Sequence, residues 1–384
     1  MKLKIGIICY PTVGGSGVIA TELGKLLAER GHEIHFISSS IPFRLKKLYP
    51  NIFYHQVEIN QYSVFHYPPY DIQLASKIAE VVHREKLHIV HAHYAIPHAI
   101  CALLARQMAD YDFKIVTTLH GTDITVLGQD PSLKSAIQYG IEKSDAVTAV
   151  SKALVCETQK LITSRKYIHV VYNFVDERIY MNKTSQYLKE NFRIDDNEKV
   201  IIHVSNFRPV KRVKDVIYTF AKIRDEIPAK LLLVGDGPEM AKIEKIVDQL
   251  QLNESVIFLG KQDNLVELYS ISDILLLLSE KESFGLVALE AMACGTPVIG
   301  TNIGGIPEVI EHGKTGYVCE LGNIEQIAKS AIKLLQDQQL YEKFSNESIN
   351  RAINRFSSEQ IVRYYEDIYY QILEMDEKLN DGEI

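Results

Sequence analysis

Short apolar segments alternate with helical patterns along nearly the whole chain, and this alternation restricts the fold more than any other feature. An apolar strand at residues 3–9 leads through a glycine-containing loop into a helix at residues 18–30. Further strands are predicted at residues 32–37, 89–92, 114–119, 146–150 and 168–171, and helices at residues 70–85 and 96–108. Strands that alternate with helices predict an α/β fold in which helices cover both faces of a parallel sheet.

The same alternation restarts in the second half of the chain. Strands are predicted there at residues 199–204, 230–234, 256–259, 274–278, 297–300 and 316–318. We therefore predict two doubly wound, Rossmann-like domains, as a length of 384 residues allows, with a hinge near residues 173–176. The N-terminal domain spans residues 1–172, the C-terminal domain spans 173–356, and a tyrosine-rich helix at 357–384 braces the N-terminal domain. We expect ligands to bind in a cleft between the carboxyl ends of the two sheets.

Composition excludes several classes of protein. The chain has 42 Lys and Arg against 49 Asp and Glu, a net charge of -7, which disfavours nucleic acid as the main partner. No apolar run approaches the roughly 20 residues that cross a bilayer, and the N-terminus lacks a signal-peptide pattern. Five scattered cysteines without a CxxC pair indicate neither a disulfide framework nor a zinc site. We therefore expect a cytoplasmic protein.

Two loops are candidate anion-binding sites. Residues 14–17, Gly-Gly-Ser-Gly, follow the first strand and open a helix, so they either contact a phosphate or carboxylate or form a tight turn. In the second domain, Glu282 and Glu290 follow a predicted strand and flank Gly285, which enters a helix. Helix N–H groups there could bind a diphosphate, while one carboxylate bonds sugar hydroxyls and the other a ribose. Without further context, two such acids are more often part of a solvated helix face.

The motifs of this chain resemble those of the retaining GT-B glycosyltransferases of family 4, and the likeness covers nearly the whole chain. Glu282 and Glu290 match the E-x7-E signature of that family. The other matching segments are residues 14–17, His120-Gly121-Thr122-Asp123, Asn173-Phe174-Val175-Asp176, Lys211, Val234-Gly235-Asp236-Gly237-Pro238, Ala293-Cys294-Gly295-Thr296-Pro297-Val298 and Gly304-Gly305-Ile306-Pro307-Glu308. The resemblance implies two Rossmann-like domains that face each other and a nucleotide-sugar donor, UDP-N-acetylglucosamine.

The resemblance also implies roles for particular residues. His120 would lie beside the donor sugar, Lys211 would neutralise the leaving phosphate, and Glu282 would contact the sugar and diphosphate. Glu290 would hold the ribose, and backbone groups near residues 260–262 would recognise the uracil base. The implied donor-binding set is Gly15, Asn206, Arg208, Lys211, Gly260, Gln262, Glu282, Ser283, Phe284, Gly285, Leu286, Val287 and Glu290.

One position departs from the family pattern. Asn206 stands where the family usually has an arginine ahead of the lysine. Either Arg208 or Arg212 then supplies the missing positive charge, or diphosphate binding relies more on Lys211.

The reaction implied by the resemblance retains the configuration of the sugar. Attack on the same face of the sugar, with the leaving phosphate oxygen taking the acceptor's proton, needs no protein nucleophile. Asp110-Tyr111-Asp112 matches the D-x-D motif of metal-dependent transferases. Because it precedes a predicted strand, it lies at the opposite edge of the sheet from the carboxyl ends of the strands. His91, His93 and His98 lack metal-binding spacing. We therefore predict that no metal or other cofactor is required.

The amino-acid sequence of the first domain resembles that of the family-4 subgroup that transfers N-acetylglucosamine from UDP to L-malate, the first step of bacillithiol biosynthesis. The resemblance implies an acceptor site at one set of residues, Ser16, Gly17, Tyr94, Thr118, Lys152 and Asn173. Basic and apolar residues mix at residues 41–49, a segment that could either touch an anionic membrane or draw in a small anionic acceptor.

Three alternatives remain open at this point. The chain could glycosylate a lipid or saccharide acceptor at a membrane surface, act as a UDP-sugar epimerase, or bind a nucleotide sugar without catalysis. Fold alone does not choose among them. Exposed apolar helices would also allow a homodimer.

Overall fold

The computed structural model describes residues 2–11, 14–45, 47–61, 63–64, 66–183 and 185–380, with residues 375–380 as backbone only. The chain divides into two units, one made of Met1–Asn173 with Glu359–Ile384 and the other of Phe174–Ser358. The terminal segment therefore belongs to the first unit. Its last four residues, 381–384, lie outside the described part of the chain.

A seven-stranded parallel sheet forms the centre of the first unit. Its strands are β1 (Lys4–Ile8), β2 (Glu33–Ser38), β3 (Ile52–Gln56), β4 (Ile89–His93), β5 (Lys114–Leu119), β6 (Ala146–Ala149) and β7 (Ile168–Val170), in the order β3-β2-β1-β4-β5-β6-β7. The helices are α1 (Gly15–Glu29), α2 (Tyr70–Glu85), α3 (Ile100–Met108), α4 (Pro131–Lys143) and α5 (Lys152–Leu161), with short turns at Ala95–Ala99, Thr122–Val126 and Leu127–Gln129. Nearly continuous burial of the central strands explains their apolar sequences.

Two local features of this unit differ from the sequence-based expectations. Strand β3 was not expected, because it is an edge strand whose residues are partly exposed and it therefore lacks a continuous apolar run. The helix expected at residues 96–108 begins later, since Ile96 has extended backbone angles (φ -130°, ψ 141°). Pro97 explains the break, because a proline disfavours helical angles at the residue before it.

A six-stranded parallel sheet forms the centre of the second unit. Its strands are β8 (Lys199–Val204), β9 (Ala229–Val234), β10 (Val256–Gly260), β11 (Ile274–Leu277), β12 (Val298–Thr301) and β13 (Gly316–Cys319), in the order β10-β9-β8-β11-β12-β13. The helices are α6 (Gln186–Asn191), α7 (Val213–Glu226), α8 (Met240–Gln249), α9 (Val266–Ser270), α10 (Leu286–Ala293), α11 (Ile306–Val309), α12 (Ile324–Gln336) and α13 (Gln338–Phe356), with a short turn at Pro209–Lys211. The predicted α/β class with two doubly wound parallel sheets is confirmed.

Each sheet has a point at which the strand order reverses. In the first unit it lies between β1 and β4, and in the second between β8 and β11. Consecutive connections leave such a point in opposite directions, so the loops that follow the two strands separate and leave room for a ligand. The four loops after these strands are therefore the places to search for a site.

The last helix, α14 (Ser358–Asn380), packs on the first unit through its tyrosines. Tyr365 and Tyr369 are buried, and the Tyr369 hydroxyl lies 2.7 Å from Nδ1 of His91. Glu366 on the same helix accepts from Arg30 Nε at 2.9 Å. It also accepts from His32 Nε2 at 2.9 Å, because Nδ1 of His32 already accepts from the Leu3 N–H. Side-chain hydrogen bonds thus join α14 to the rest of this unit.

Replacing Glu366 with glutamine is expected to lower the free energy of unfolding by about 1.5–3 kcal/mol at pH 7, the usual range for hydrogen bonds to a charged group. Burial alone would raise the pKa of Glu366, but the hydrogen bonds from Arg30 and His32 outweigh it and hold the pKa below the usual value. The difference between the two proteins should therefore be complete above about pH 5 and shrink as the pH falls below about 4. Chemical denaturation across this range measures it. Glu359→Gln, an exposed partner of the same Arg30, is the control, and an equal loss in both variants would contradict the prediction.

No helix among the described residues is long and apolar enough to cross a membrane. The five cysteines are all free, and of these only Cys156 is exposed.

Candidate active site

Lys211 and Glu282 form an ion pair where the strand order of the second sheet reverses. Lys211 ends the turn that follows β8, and Glu282 lies in the loop between β11 and α10. Lys211 Nζ donates to Glu282 Oε2 at 2.7 Å, and the two side chains are only 21% and 16% exposed. The fold thus brings a cation and a carboxylate that are 71 residues apart to one edge of the sheet.

The loop after Glu282 leads directly into the N-terminus of α10. Gly285 has a φ of 97°, a left-handed angle that favours glycine, and it caps the helix that starts at Leu286. The first N–H groups of a helix have no acceptor within the helix. Those of Leu286 and Val287, preceded by Ser283 and Phe284, therefore form a suitable site for an anion.

Two glycine-containing motifs support these loops by close backbone contact. A Cβ atom on Gly304 would lie 2.0 Å from the carbonyl oxygen of Glu282, and one on Gly235 would lie 1.7 Å from that of Ser205. Both glycines also have positive φ angles, 53° and 124°. Any side chain at either position would displace the backbone that carries Glu282 or Asn206.

Glu290 is buried on α10 and accepts hydrogen bonds from two tyrosines. The Tyr180 hydroxyl lies 2.7 Å from Oε1, and the Tyr269 hydroxyl lies 3.1 Å from Oε2. Burial and the neighbouring Glu290 charge raise the pKa of Tyr269 well above its usual value, so this hydroxyl keeps its proton and donates it. Nothing in the sequence indicated these two tyrosines, because Tyr180 is 110 residues from Glu290.

Arg208 and Arg212 are the two residues that could supply the positive charge of the family's usual arginine, and they differ in their surroundings. Arg212 pairs with Asp215 at 2.6 Å and with Glu280 at 3.4 Å, so its charge is already balanced. Arg208 and Asn206 are both exposed. Arg208 is therefore better placed than Arg212 to supply positive charge to a ligand.

The loop after β10 lies against the loop after β9. The carbonyl oxygen of Gly260 accepts from the Gly235 N–H at 2.8 Å, and Gln262 Nε2 donates to the carbonyl of Leu259 at 2.6 Å. Gly260 and Gln262 therefore border the same edge of the sheet as Asn206.

Ser16 and Tyr94 meet at the point where the first sheet reverses its order. Ser16 is in the first turn of α1, next to Gly15 and Gly17, and Tyr94 directly follows β4. The two hydroxyls are 2.7 Å apart, and the backbone of Tyr94 has a φ of 103°. A side chain other than glycine at such an angle is strained, which is common at functional sites. Hydroxyl groups beside the N-terminus of a helix suit the binding of a carboxylate.

His120 lies close to Tyr94 and is held by a second histidine. The Tyr94 and His120 ring centres are 5.4 Å apart, and Nε2 of His120 lies 2.8 Å from Nδ1 of His93. Burial lowers the pKa of His120 to about 3, so its ring is neutral at pH 7. Asp123 accepts from the Ala95 and Gly121 N–H groups and ties the two loops together.

The other predicted acceptor residues occupy different positions. Thr118 is fully buried, and its hydroxyl lies 2.7 Å from both His91 Nε2 and the Thr148 hydroxyl, so its side chain is engaged within the sheet. Lys152 begins α5 after β6 and is exposed at the carboxyl edge, two strands from β4. Asn173 is buried and is the last residue of the segment Met1–Asn173 of the first unit. Of the predicted acceptor set, the structure thus joins Ser16 directly with Tyr94.

The segment at residues 41–49 is described except for residue 46. Ile41 and Leu48 are exposed apolar side chains, so the segment presents apolar surface to solvent.

The Asp-x-Asp motif lies away from these loops. Asp110 and Asp112 precede β5 at the amino end of that strand, on the edge opposite Tyr94. Among the described residues, one cluster, His35, His55 and Glu85, has ligand atoms within 4.8 Å of one another. Nδ1 of His35 lies 2.8 Å from Nε2 of His55, and Nε2 of His35 lies 3.0 Å from Glu33 Oε1, so both ring nitrogens of His35 have protein partners.

Two family models match the chain, one for each half. Residues 13–178 match Glycosyltransferase Family 4, and residues 185–351 match Glycosyl transferases group 1. The chain is 61% identical over 376 residues to N-acetyl-alpha-D-glucosaminyl L-malate synthase of Bacillus anthracis, an alignment that covers 98% of this chain and 99% of that protein.

Solved structures with lower identity share the fold. Sucrose-phosphate synthase from Thermosynechococcus elongatus superposes with a TM-score of 0.84 at 19% identity, covering 97% of this chain and 100% of the other. The Anabaena protein HepE in complex with UDP and glucose superposes with a TM-score of 0.81 at 21% identity, covering 95% and 99%.

Proposed function

Because the chain belongs to glycosyltransferase family 4, with the two Rossmann-like domains of the GT-B class, we propose that it transfers N-acetylglucosamine from UDP-N-acetylglucosamine to the hydroxyl of L-malate. The observation that carries this proposal is the 61% identity, over 98% of the chain, to a relative named for that product. The alignment includes both the first unit, where the acceptor would bind, and the second, where the donor would bind.

The loops of the second unit suit a nucleotide sugar. Breaking the bond between a sugar and a diphosphate builds negative charge on the leaving group, and a nearby cation with fixed N–H groups stabilises that charge. Lys211 and the first turn of α10 supply these groups, with Arg208 available in place of the missing family arginine. Glu290 would accept from the ribose hydroxyls, and Glu282 would hold the sugar and orient Lys211.

The first unit supports a small acceptor with carboxylates. Ser16 and Tyr94 offer hydroxyls beside the N-terminus of α1, and Lys152 offers a cation at the same edge of the sheet. A dicarboxylate such as L-malate needs hydroxyl donors and a cation of this kind. Thr118 does not contribute a donor, because its hydroxyl is hydrogen-bonded inside the sheet.

We further propose that transfer retains the configuration of the sugar and needs no metal. In this route the acceptor hydroxyl attacks the face from which the diphosphate leaves, and the departing phosphate oxygen takes its proton. Charge stabilisation then comes from Lys211 and helix N–H groups rather than from an ion. The free cysteines and a nucleotide-sugar substrate fit a cytoplasmic location.

The direct test measures UDP release from UDP-N-acetylglucosamine by the purified protein, with and without L-malate and with and without EDTA. Release that depends on malate, persists in EDTA and yields the product mass of an N-acetylglucosaminyl malate is the expected result. Anionic lipid vesicles form the comparison arm, since residues 41–49 expose Ile41 and Leu48. Release that depends on vesicles and ignores malate would replace the proposed acceptor with a lipid.

Replacing Tyr94 with phenylalanine is expected to raise the KM for L-malate by about 10- to 100-fold, the effect of losing one hydrogen bond to a charged group. The KM for UDP-N-acetylglucosamine should change by less than about twofold, because the implied donor-binding residues other than Gly15 and His120 lie in the second unit. Steady-state kinetics with each substrate varied in turn measures both values. Tyr139→Phe, at an exposed tyrosine of the same unit, is the control. Equal changes in the two KM values would remove Tyr94 from the acceptor site.

A further inference from the structure

Four histidines lie together around the end of β4. His91, His93 and His98 are fully buried, and His120 is partly exposed. The rings of His91 and His93 stack with centres 4.4 Å apart, and those of His93 and His120 lie 5.1 Å apart. Burial lowers the pKa of His91 to about 3 and of His98 to about 4, and it holds the pKa of His93 well below its usual value. At neutral pH each ring therefore carries a single proton, on one of its two nitrogens.

The protonated nitrogen of His98 follows from its partner. Nδ1 of His98 bonds the carbonyl oxygen of His93, and a carbonyl oxygen only accepts, so the proton is on Nδ1. Nε2 of His98 is then an unprotonated nitrogen, buried without a hydrogen-bond partner among the described residues. This interior thus already tolerates a buried ring nitrogen that accepts nothing.

His93 has the same feature, since its Nε2 is also buried without a partner in the described part of the chain. A proton there would leave a buried N–H without an acceptor, which is rarer in proteins than an acceptor without a donor. The proton of His93 therefore belongs on Nδ1, from which it donates to Nε2 of His120 across 2.8 Å. His120 must then carry its own proton on Nδ1.

We propose that His93 is a positioning residue that holds His120 in the tautomer with its proton on Nδ1, so that His120 presents an N–H donor to an oxygen of the donor sugar. The described hydrogen bond of His120 uses Nε2, which leaves Nδ1 for a ligand. The proposal rests on the proposed function, since that function places the sugar beside His120. The hydrogen bond on one imidazole nitrogen sets the state of the other.

This arrangement also governs when His120 can become charged. A second proton on Nε2 of His120 would face the N–H of His93, and this repulsion adds to burial in keeping His120 neutral. The other groups near the His120 ring are His91, His98 and the ring of Tyr94. The Asp123 carboxylate accepts from the backbone N–H of His120. Burial raises the pKa of Asp123 to about 6, so this carboxylate is largely ionised at pH 7. His91, His93 and His98 are neutral at that pH. Removing the N–H of His93 should therefore raise the pKa of His120.

Two substitutions at His93 separate hydrogen bonding from packing. In His93→Asn, the side-chain amide nitrogen can occupy the place of Nδ1 and donate to His120. In His93→Leu, the volume is similar but the donor is lost. We expect kcat for UDP release to stay within about threefold in the asparagine variant and to fall by about 10- to 100-fold in the leucine variant. The leucine variant should also lose kcat/KM on the acidic side at a higher pH than the wild-type protein. His169→Asn, at a histidine on β7, is the control for substitution in the same unit.

Nitrogen NMR of protein labelled with 15N-histidine tests the tautomer without any substrate. The His120 signals, identified by their loss in His120→Asn, should show a protonated Nδ1 and an unprotonated Nε2 in the wild-type protein. A proton on Nε2, or equal kcat losses in the asparagine and leucine variants with unchanged thermal unfolding, would overturn the proposal. Failure of the wild-type protein to release UDP with malate would instead overturn the proposed acceptor, because the spectra report the tautomer independently of it.

Discussion

Replacing Lys211 with alanine is expected to lower kcat for UDP release by about 10²- to 10³-fold, the usual cost of removing one group that stabilises developing charge. Lys211 Nζ donates to Glu282 Oε2 at 2.7 Å, beside the loop that leads into α10. The leaving diphosphate carries more negative charge in the transition state than in the bound donor, so kcat should fall more than the affinity for the donor. Single-turnover kinetics with saturating donor separates the chemical step from binding.

The control for Lys211 is a lysine in a similar pair at the surface. Lys222 contacts Glu325 at 2.6 Å, and its side chain is 43% exposed, so Lys222→Ala should leave kcat within about twofold. Thermal unfolding of both variants reports whether the fold is kept, since Lys211→Ala leaves the Glu282 carboxylate without this cation. A Lys211→Ala protein that releases UDP at nearly the wild-type rate would contradict the role given to this lysine.

Replacing Glu290 with alanine is expected to lower the free energy of unfolding by about 2–6 kcal/mol, because the buried hydroxyls of Tyr180 and Tyr269 both lose their hydrogen bond to this carboxylate. Each buried donor without a partner costs about 1–3 kcal/mol. The dissociation constant for UDP should rise by about tenfold or more, since the ribose would lose a charged acceptor. Chemical denaturation and calorimetric titration with UDP measure the two effects.

A double variant tests the physical cause of this instability. Adding Tyr269→Phe to Glu290→Ala removes the fully buried hydroxyl that has lost its bond to Glu290, so the double variant should recover about 1 kcal/mol relative to Glu290→Ala alone. Tyr269→Phe in the wild-type background should instead destabilise the protein. Additive losses in the double variant would show that the hydroxyls do not cause the effect.

Much of the fold could be predicted from the sequence because the signal is local. Strands buried on both faces are apolar throughout, and the predicted strands at 114–119 and 199–204 have the observed bounds. Strand β3 lacks this signal because it lies at an edge and is partly exposed. The helix predicted at residues 96–108 runs through Pro97, whereas the observed helix begins only at Ile100.

The candidate site was likewise only partly predictable from the sequence. Glu282 and Glu290 stand out in the sequence because a short loop and one helix carry both, so their spacing is a local property. Their partners come from elsewhere in the chain, as the 71 residues between Lys211 and Glu282 illustrate. The assignments of donor and acceptor residues stay predictions until the variants above are measured.

The sequence by itself determined the two parallel sheets, the glycine loops and the identity of the groups that could bind an anion, since each depends on neighbouring residues. Only the tertiary structure decided which groups pair. It placed Tyr180 and Tyr269 on Glu290, engaged Arg212 with Asp215, enclosed the Thr118 hydroxyl within the sheet and set His93 against His120. Such pairings depend on strand order and on burial, which bring together residues that no local pattern connects.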